Sequence, residues 1–228
     1  MTREELIHRV KAKIEELSPY GYEAPLIAIQ EDSELTENIN KEIKPIISYI
    51  SECLNESCNN ILNILPLHLI KPKVIEIKSP IDDIEKLAKG SLQSISVKLP
   101  SDFLRIHSIK FGDWSKVVSK AISAEAPEAV YEGNQHTMGK PTRPVCMIDI
   151  RDGYKWVVGN SSSVSMLDID KDMPYRNYVA RFDDTDIQDT LSDFFVLQTA
   201  IDVCKVLGLN ILQSLEEELN ILIKSNQY

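Results

Sequence analysis

The chain has 228 residues, 43% of them hydrophobic and 26% charged, which suits one core, or a split domain with an insertion, and excludes a disordered chain. Its formal charge of −10 sets it against nucleic-acid phosphates and excludes a sequence-reading DNA-binding module as the expected role. The opening MTREELIHRV has no signal-like apolar run, and no stretch reaches the roughly 18 apolar residues of a membrane span, so a cytosolic product without a membrane partner is expected.

In chain order, Thr2 and Glu5 have the spacing of a capping box. Leu6, Val10, Ile14 and Leu17 then recur at helical spacing, and Ser18-Pro19-Tyr20-Gly21 supplies a stop. A second helix is predicted through Ile39, Ile43, Ile47, Ile50, Leu54, Ile61 and Leu65, with Pro45 in its first turn or kinking it and Pro66 ending it. From about 71 to 182 the period falls to two, the mark of strands. Ser94-Ile95-Ser96-Val97-Lys98-Leu99 alternates strictly, and Val145 to Ile150 is predicted to pair with Tyr154, Trp156 and Val158 through a hairpin at Asp152-Gly153. Pro72, Pro80, Pro100, Pro141, Pro144 and Pro174 punctuate the region as loops between short strands. Thr185 and Gln188 suggest a second capping box, with Asp183, Asp184 and Asp186 at the positive end of a helix dipole. Around Val203, Val206 and Leu207 this helix is apolar nearly all round, implying burial before Gly208 ends it. A last helix carries a seam of Leu212, Leu215, Leu219 and Leu222 that calls for a partner. The fold class is α+β: N- and C-terminal helices (1–70 and 183–228) forming a helical lobe around a central antiparallel β-rich insertion (71–182), a sandwich or small barrel.

No chemical motif is complete. Gly133 to Lys140 resembles a phosphate-cradling loop, but it has one residue too many between its glycines, and Pro141 stands where a magnesium-binding hydroxyl belongs. Asp168-Ile169-Asp170-Lys171-Asp172 opens like a calcium loop, yet Met173 and Val179 replace the required Gly and Glu, so an exposed acidic turn is expected. His8, His68, His107 and His136 are scattered, and Cys53, Cys58, Cys146 and Cys204 have neither zinc nor disulfide spacing and read as reduced packing residues. Ser161-Ser162-Ser163 reads as a turn rather than a nucleophile, and the glycosylation patterns at Asn55 and Asn160 carry no meaning in a cytosolic product. No cofactor, metal or catalytic residue is assigned, and no enzyme is expected. The loop from Ala126 to Pro144 has no period of its own and mixes Tyr131, Asn134, His136 and Arg143, which suits contact with a neighbouring subunit.

Three groups of segments carry a resemblance. Glu42-Ile43-Lys44-Pro45-Ile46-Ile47 with Ile61 to Ile70, Leu99-Pro100-Ser101-Asp102-Phe103-Leu104-Arg105 running on to Phe111-Gly112-Asp113-Trp114, and Gly139-Lys140-Pro141-Thr142-Arg143-Pro144-Val145-Cys146 resemble ring-forming neck proteins of crAss-like tailed bacteriophages. The helices from Asp186 to Ile223 are similar in placement to those of head-to-tail adaptor and tail tubular proteins of short-tailed phages. The resemblance covers most of residues 35 to 223. It implies a virion structural protein, made in the host cytoplasm, forming a homo-oligomeric ring of about twelve copies between portal and tail with a channel for DNA. The portal and other neck or tail proteins would be its partners, and Tyr131, Asn134, His136, Arg143, Leu212, Leu215, Leu219 and Leu222 are the expected subunit interface. The alternative reading is a cytosolic β-sandwich binding module whose helices dimerise.

Overall fold

The computed structural model describes residues 1–17, 46–89, 91–132 and 137–226. The stop at Ser18 to Gly21, the start of the second predicted helix with Ile39, Ile43 and Pro45, and the middle of the phosphate-loop lookalike lie outside them. The fold is α+β, with helices from both chain ends and a central β-rich region, and the chain divides into unit 1, Met1–Ile70 with Phe182–Tyr228, and unit 2, Lys71–Arg181.

Unit 1 contains α1 (Arg3–Leu17) and α2 (Ile46–Ile64). The capping box forms: the Thr2 amide donates to the Glu5 carboxylate at 2.8 Å, and the Glu5 amide donates to the Thr2 hydroxyl at 3.2 Å. Two amides that the helix cannot satisfy internally are thereby paired. Leu6, Val10 and Ile14 of α1 and Ile50, Leu54 and Ile61 of α2 are buried, as their spacing predicts. The central element is a third long helix, Ser192–Leu207, which packs on α1, on α2 and on the last helix, Leu212–Ser225. The Ser57 hydroxyl of α2 donates to Asp202 of this central helix at 2.7 Å, giving a buried hydroxyl a charged acceptor.

Three expectations for the C-terminal helices are corrected. Thr185 caps no helix: its amide and hydroxyl both donate to Asp183, and the α-helix begins at Ser192 after a 3-10 turn at Asp189–Leu191. The nearby aspartates serve α1 instead, with Asp184 pairing with Arg3 at 2.8 Å and Asp193 with Arg9 at 2.6 Å. Val206 is 61% exposed, because only the stripe containing Val203 faces neighbouring helices. The leucine seam is mostly internal: Leu215 is fully buried and Leu219 only 7% exposed within the single chain, while Leu212 and Leu222 are half-buried. The central helix supplies the apolar partner that the seam required, and Gly208, at φ +65°, turns the chain back to allow it.

Among the described residues, unit 2 holds eight strands in two open sheets, with no closed barrel. They are β1 (Lys73–Val74), β2 (Ile84–Lys89), β3 (Leu92–Lys98), β4 (Phe103–Lys110), β5 (Ala121–Ser123), β6 (Cys146–Arg151), β7 (Tyr154–Ser161) and β8 (Tyr175–Ala180). Short helices α3 (Pro80–Asp83), α4 (Ala129–Glu132) and α5 (Ile169–Asp172) lie in the connections, so the long helices of unit 1 are α6 (Ser192–Leu207) and α7 (Leu212–Ser225). One sheet runs β1-β8-β4 and the other β2-β3-β7-β6-β5, antiparallel throughout except for the parallel β5–β6 pair. The predicted hairpin forms between β6 and β7, with Arg151 paired to Tyr154 and the two loop residues Asp152 and Gly153 at φ +50° and +78°. Ile75, Ile95, Val97, Phe103, Ile106 and Val157, from strands and flanks of both sheets, share one core. The strict alternation of β3 does not leave one face wet, since Ser94 and Ser96 are buried too.

The tightest point of that core is Gly159. A Cβ there would lie 2.5 Å from the Trp114 ring and 2.7 Å from the Phe111 ring, which pack edge to face at 4.8 Å. Gly159→Ala should therefore cost about 1–3 kcal/mol through overpacking, read as a lower denaturant midpoint with an unchanged slope. Leu215→Ala should cost about 2–5 kcal/mol by leaving a cavity, and the loss should not depend on protein concentration, because the side chain is core of a single chain.

Candidate functional site

In the segment from Ala126 to Pro144, the described residues 126–132 and 137–144 are tied down at the base. A 3-10-like turn and α4 bring Glu132 inward, where it is buried, and its carboxylate oxygens accept from the Gly139 amide at 2.9 and 3.1 Å. The Asn160 side-chain amide donates to the Gly139 carbonyl at 3.1 Å, so both polar groups of this glycine are satisfied by buried side chains. Gly139 is also pressed against Val145, which a Cβ would approach to 2.8 Å. Trp114 donates its indole N–H to the Asn160 carbonyl at 2.8 Å, and the Ser115 amide and hydroxyl donate to the carbonyls of Pro141 and Thr142. Lys140 and Arg143 close their own turn with backbone bonds in both directions.

Around this base opens a cavity of about 690 Å³ whose walls include Tyr131, Glu128, Lys140, Thr142, Arg143 and Val145. Tyr131 and Arg143, two of the expected interface residues, thus line the same groove, and both are exposed. Asn134 and His136 lie outside the described residues. Leu222 lines a different cavity, about 430 Å³, in the helical unit with Val196, Leu197 and Ile221. Leu212 is half-buried, and Leu215 and Leu219 are core, so neither of the latter two offers a surface to another chain. The expected interface resolves into two separate patches, one on each unit.

The remaining motif residues have structural work. Asp113 accepts from the Ser161 hydroxyl at 2.9 Å and from the Ser162 amide at 2.7 Å, so the serine run is a turn held by a carboxylate. In the calcium-loop lookalike, Asp168 caps α5 by accepting from the Lys171 amide, Asp170 pairs with Arg176 at 2.6 Å, and Asp172 accepts from the Ser165 hydroxyl at 2.9 Å. Asp168, Asp170 and Lys171 are exposed as expected of an acidic turn, whereas Asp172 is buried. Among the described residues, no group of three or more His, Cys, Asp or Glu is placed to hold a metal ion. Cys58, Cys146 and Cys204 are buried free thiols; burial pushes Cys58 up to about 12 and Cys204 to about 11, and raises Cys146 as well.

The sequence reading missed Glu132, Asn160 and the distribution of charge. Glu132 and Asn160 come from distant segments, and no periodicity marks a carboxylate as buried. Charge, by contrast, is countable once the units are known. Residues 71–181 hold 17 Lys and Arg against 14 Asp and Glu, a net of +3, leaving 8 basic and 21 acidic residues, a net of −13, on the helical unit. The groove of unit 2 combines the exposed Tyr131 ring with Lys140 and Arg143 and with the carboxylates of Glu128 and Glu132. Compared with protein-family models, curated proteins and solved structures, the chain matches none of them.

Asp172 supplies a pH test. Burial pushes its carboxyl up, but hydrogen bonds from Ser165 and from neighbouring backbone amides outweigh that and hold it below the ordinary 3.8. A depressed folded value contributes stability that is fully present above 3.8 and is lost as pH falls through the folded value. Asp172→Asn should flatten the acid limb of the stability curve below that pH, measured by denaturant unfolding at stepped pH.

Proposed function

We propose that this protein is a structural component of a tailed-phage neck, forming a homo-oligomeric ring between portal and tail through which DNA passes. One observation carries the reading: two of the resembling segments, the one from Leu99 to Trp114 and the one from Gly139 to Cys146, are joined into one scaffold of unit 2, while the others belong to unit 1. Phe111 and Trp114 pack on Gly159, Asp113 holds the Ser161 turn, and Trp114 reaches Asn160, which in turn holds Gly139 at the head of the third segment. Leu99, at the head of the second, donates its amide to the Lys155 carbonyl, and Asp102 accepts from the Tyr178 hydroxyl. These two segments thus support the core of unit 2 and the base of the groove carrying Tyr131 and Arg143.

In this role the protein would work by geometry and surface, without a catalytic step or a cofactor. The −13 on the helical unit suits a surface that DNA must pass without sticking, since nonspecific affinity comes almost wholly from Lys and Arg neutralising phosphates. No helix among the described residues is long and apolar enough to cross a membrane. The virion, and the host cytoplasm during assembly, would be its locations.

Native mass measurement of the purified chain, alone and with its portal, tests the reading. A closed ring of about twelve copies is expected. A dimer with no ring even beside the portal would point instead to a binding module that uses the Tyr131 groove.

A further inference from the structure

β2 is the outermost strand of the five-stranded sheet and pairs with β3 alone, residue for residue from Ile84 with Val97 to Lys89 with Leu92, without a bulge. Among the described residues, no backbone bond outside that ladder involves residues 84–89, so the outer row of its N–H and C=O groups is open. Such an edge is a template for another strand, and proteins guard it with bulges, proline, charged side chains or short length. The other sheet edges of unit 2 have such guards. β1 has two residues and β5 three, while β4 carries two register shifts and exchanges backbone bonds with Val118 at Ile109.

On β2 the charged side chains of Glu85 and Lys86 are turned back onto their own unit. Arg151 holds the Glu85 carboxylate, donating to it at 2.6 Å while also donating to the Ser96 hydroxyl of β3 at 3.3 Å. Lys86 donates to the Ser165 carbonyl. That leaves Leu87, 65% exposed, and the exposed Ala88 on the open strand. Leu87 is paired with Ser94 rather than with Ile95 or Val97, so it lies on the face that the shared core does not claim.

We propose that β2 pairs antiparallel with β2 of a second copy across a two-fold axis at Leu87, joining the two five-stranded sheets into one. Among the described residues β2 is the one regular six-residue open edge, so within this chain it finds a partner of equal length only in itself. Pairing β2 with β2 consumes both open rows and stops there, whereas an unpaired edge stays a template for aggregation. The register follows from the residues: centring on Glu85 or Lys86 sets like charges opposite each other, and centring on Leu87 sets leucine on leucine. The contact is isologous, so it pairs copies without closing a ring, and it goes beyond the ring reading without resting on it.

Cross-linking of the full chain tests the register, because directly opposed residues of antiparallel strands have Cα atoms roughly 4.5–5.5 Å apart, within the span of a disulfide. With dissolved oxygen as oxidant and a copper catalyst, Leu87→Cys should form a covalent dimer. Glu85→Cys, four positions out of register with its own copy, should not, and the unsubstituted chain controls for its own cysteines. In sedimentation across a dilution series, Leu87→Lys should weaken the dimer by about tenfold or more, since a lysine pair at the centre guards the edge. Its circular dichroism should be unchanged, because residue 87 is exposed. No covalent dimer through residue 87, equal cross-linking through 85 and 87, undiminished association of Leu87→Lys, or a monomer at every concentration overturns the proposal. A covalent dimer through residue 87 with no larger species upholds this contact and sinks the ring reading. Rings of about twelve copies that form in Leu87→Lys and do not cross-link through residue 87 do the reverse.

Discussion

Unit 2 is organised by the contact of two aromatic rings with a residue that has no side chain. Trp114 and Phe111 occupy the space above Gly159, at distances that any Cβ would violate, and this brings the turn after β4 down onto the middle of β7. Once Trp114 is there, its indole N–H must find an acceptor in the core, and the Asn160 carbonyl provides it. Asn160 is then committed by its backbone to Trp114 and by its side chain to Gly139, so the position of the aromatic pair sets the position of the segment 21 residues away. Glu132 completes the chain by taking the Gly139 amide. A buried polar network of this kind holds one arrangement because each broken bond would strand a desolvated group.

That network explains how a segment without secondary-structure period carries a defined surface. The groove of Tyr131 and Arg143 stands on a base in which every named polar group has a partner, while its rim is left exposed. Recognition surfaces are commonly built this way, with variable side chains displayed on a rigid support. The helical unit is arranged differently: α6 packs against α1, α2 and α7, which bury most of its apolar residues, and Val206 of α6 and Ile221 of α7 remain exposed. The chain thus separates an acidic helical unit from a mildly basic β unit, a division invisible in the overall charge of −10.

What could be read in the sequence was what depends on near neighbours. The Thr2–Glu5 box, the apolar stripe of α1, the Gly208 stop and the Asp152-Gly153 hairpin each involve residues within a few positions of one another, and all are present in the fold. Thr185 and Gln188 had the same spacing as Thr2 and Glu5 and formed no box, because Asp183, two residues before Thr185, captured both its donors. Spacing alone does not say which acceptor wins when several lie within reach.

The sequence by itself determined the α+β class, the helices at both ends and the alternation of the central strands, since periodicity records which side chains share a face. It did not determine what covers a face. The leucines of α7 required an apolar partner, and only the tertiary structure decided that α6 of the same chain would be that partner for Leu215 and Leu219. Likewise Ser94 and Ser96 alternate as solvent-facing residues should, and are buried. Glu132, Gly139 and Asn160 meet across gaps of 7 and 21 residues because folding closes those loops, and no local pattern encodes the closure.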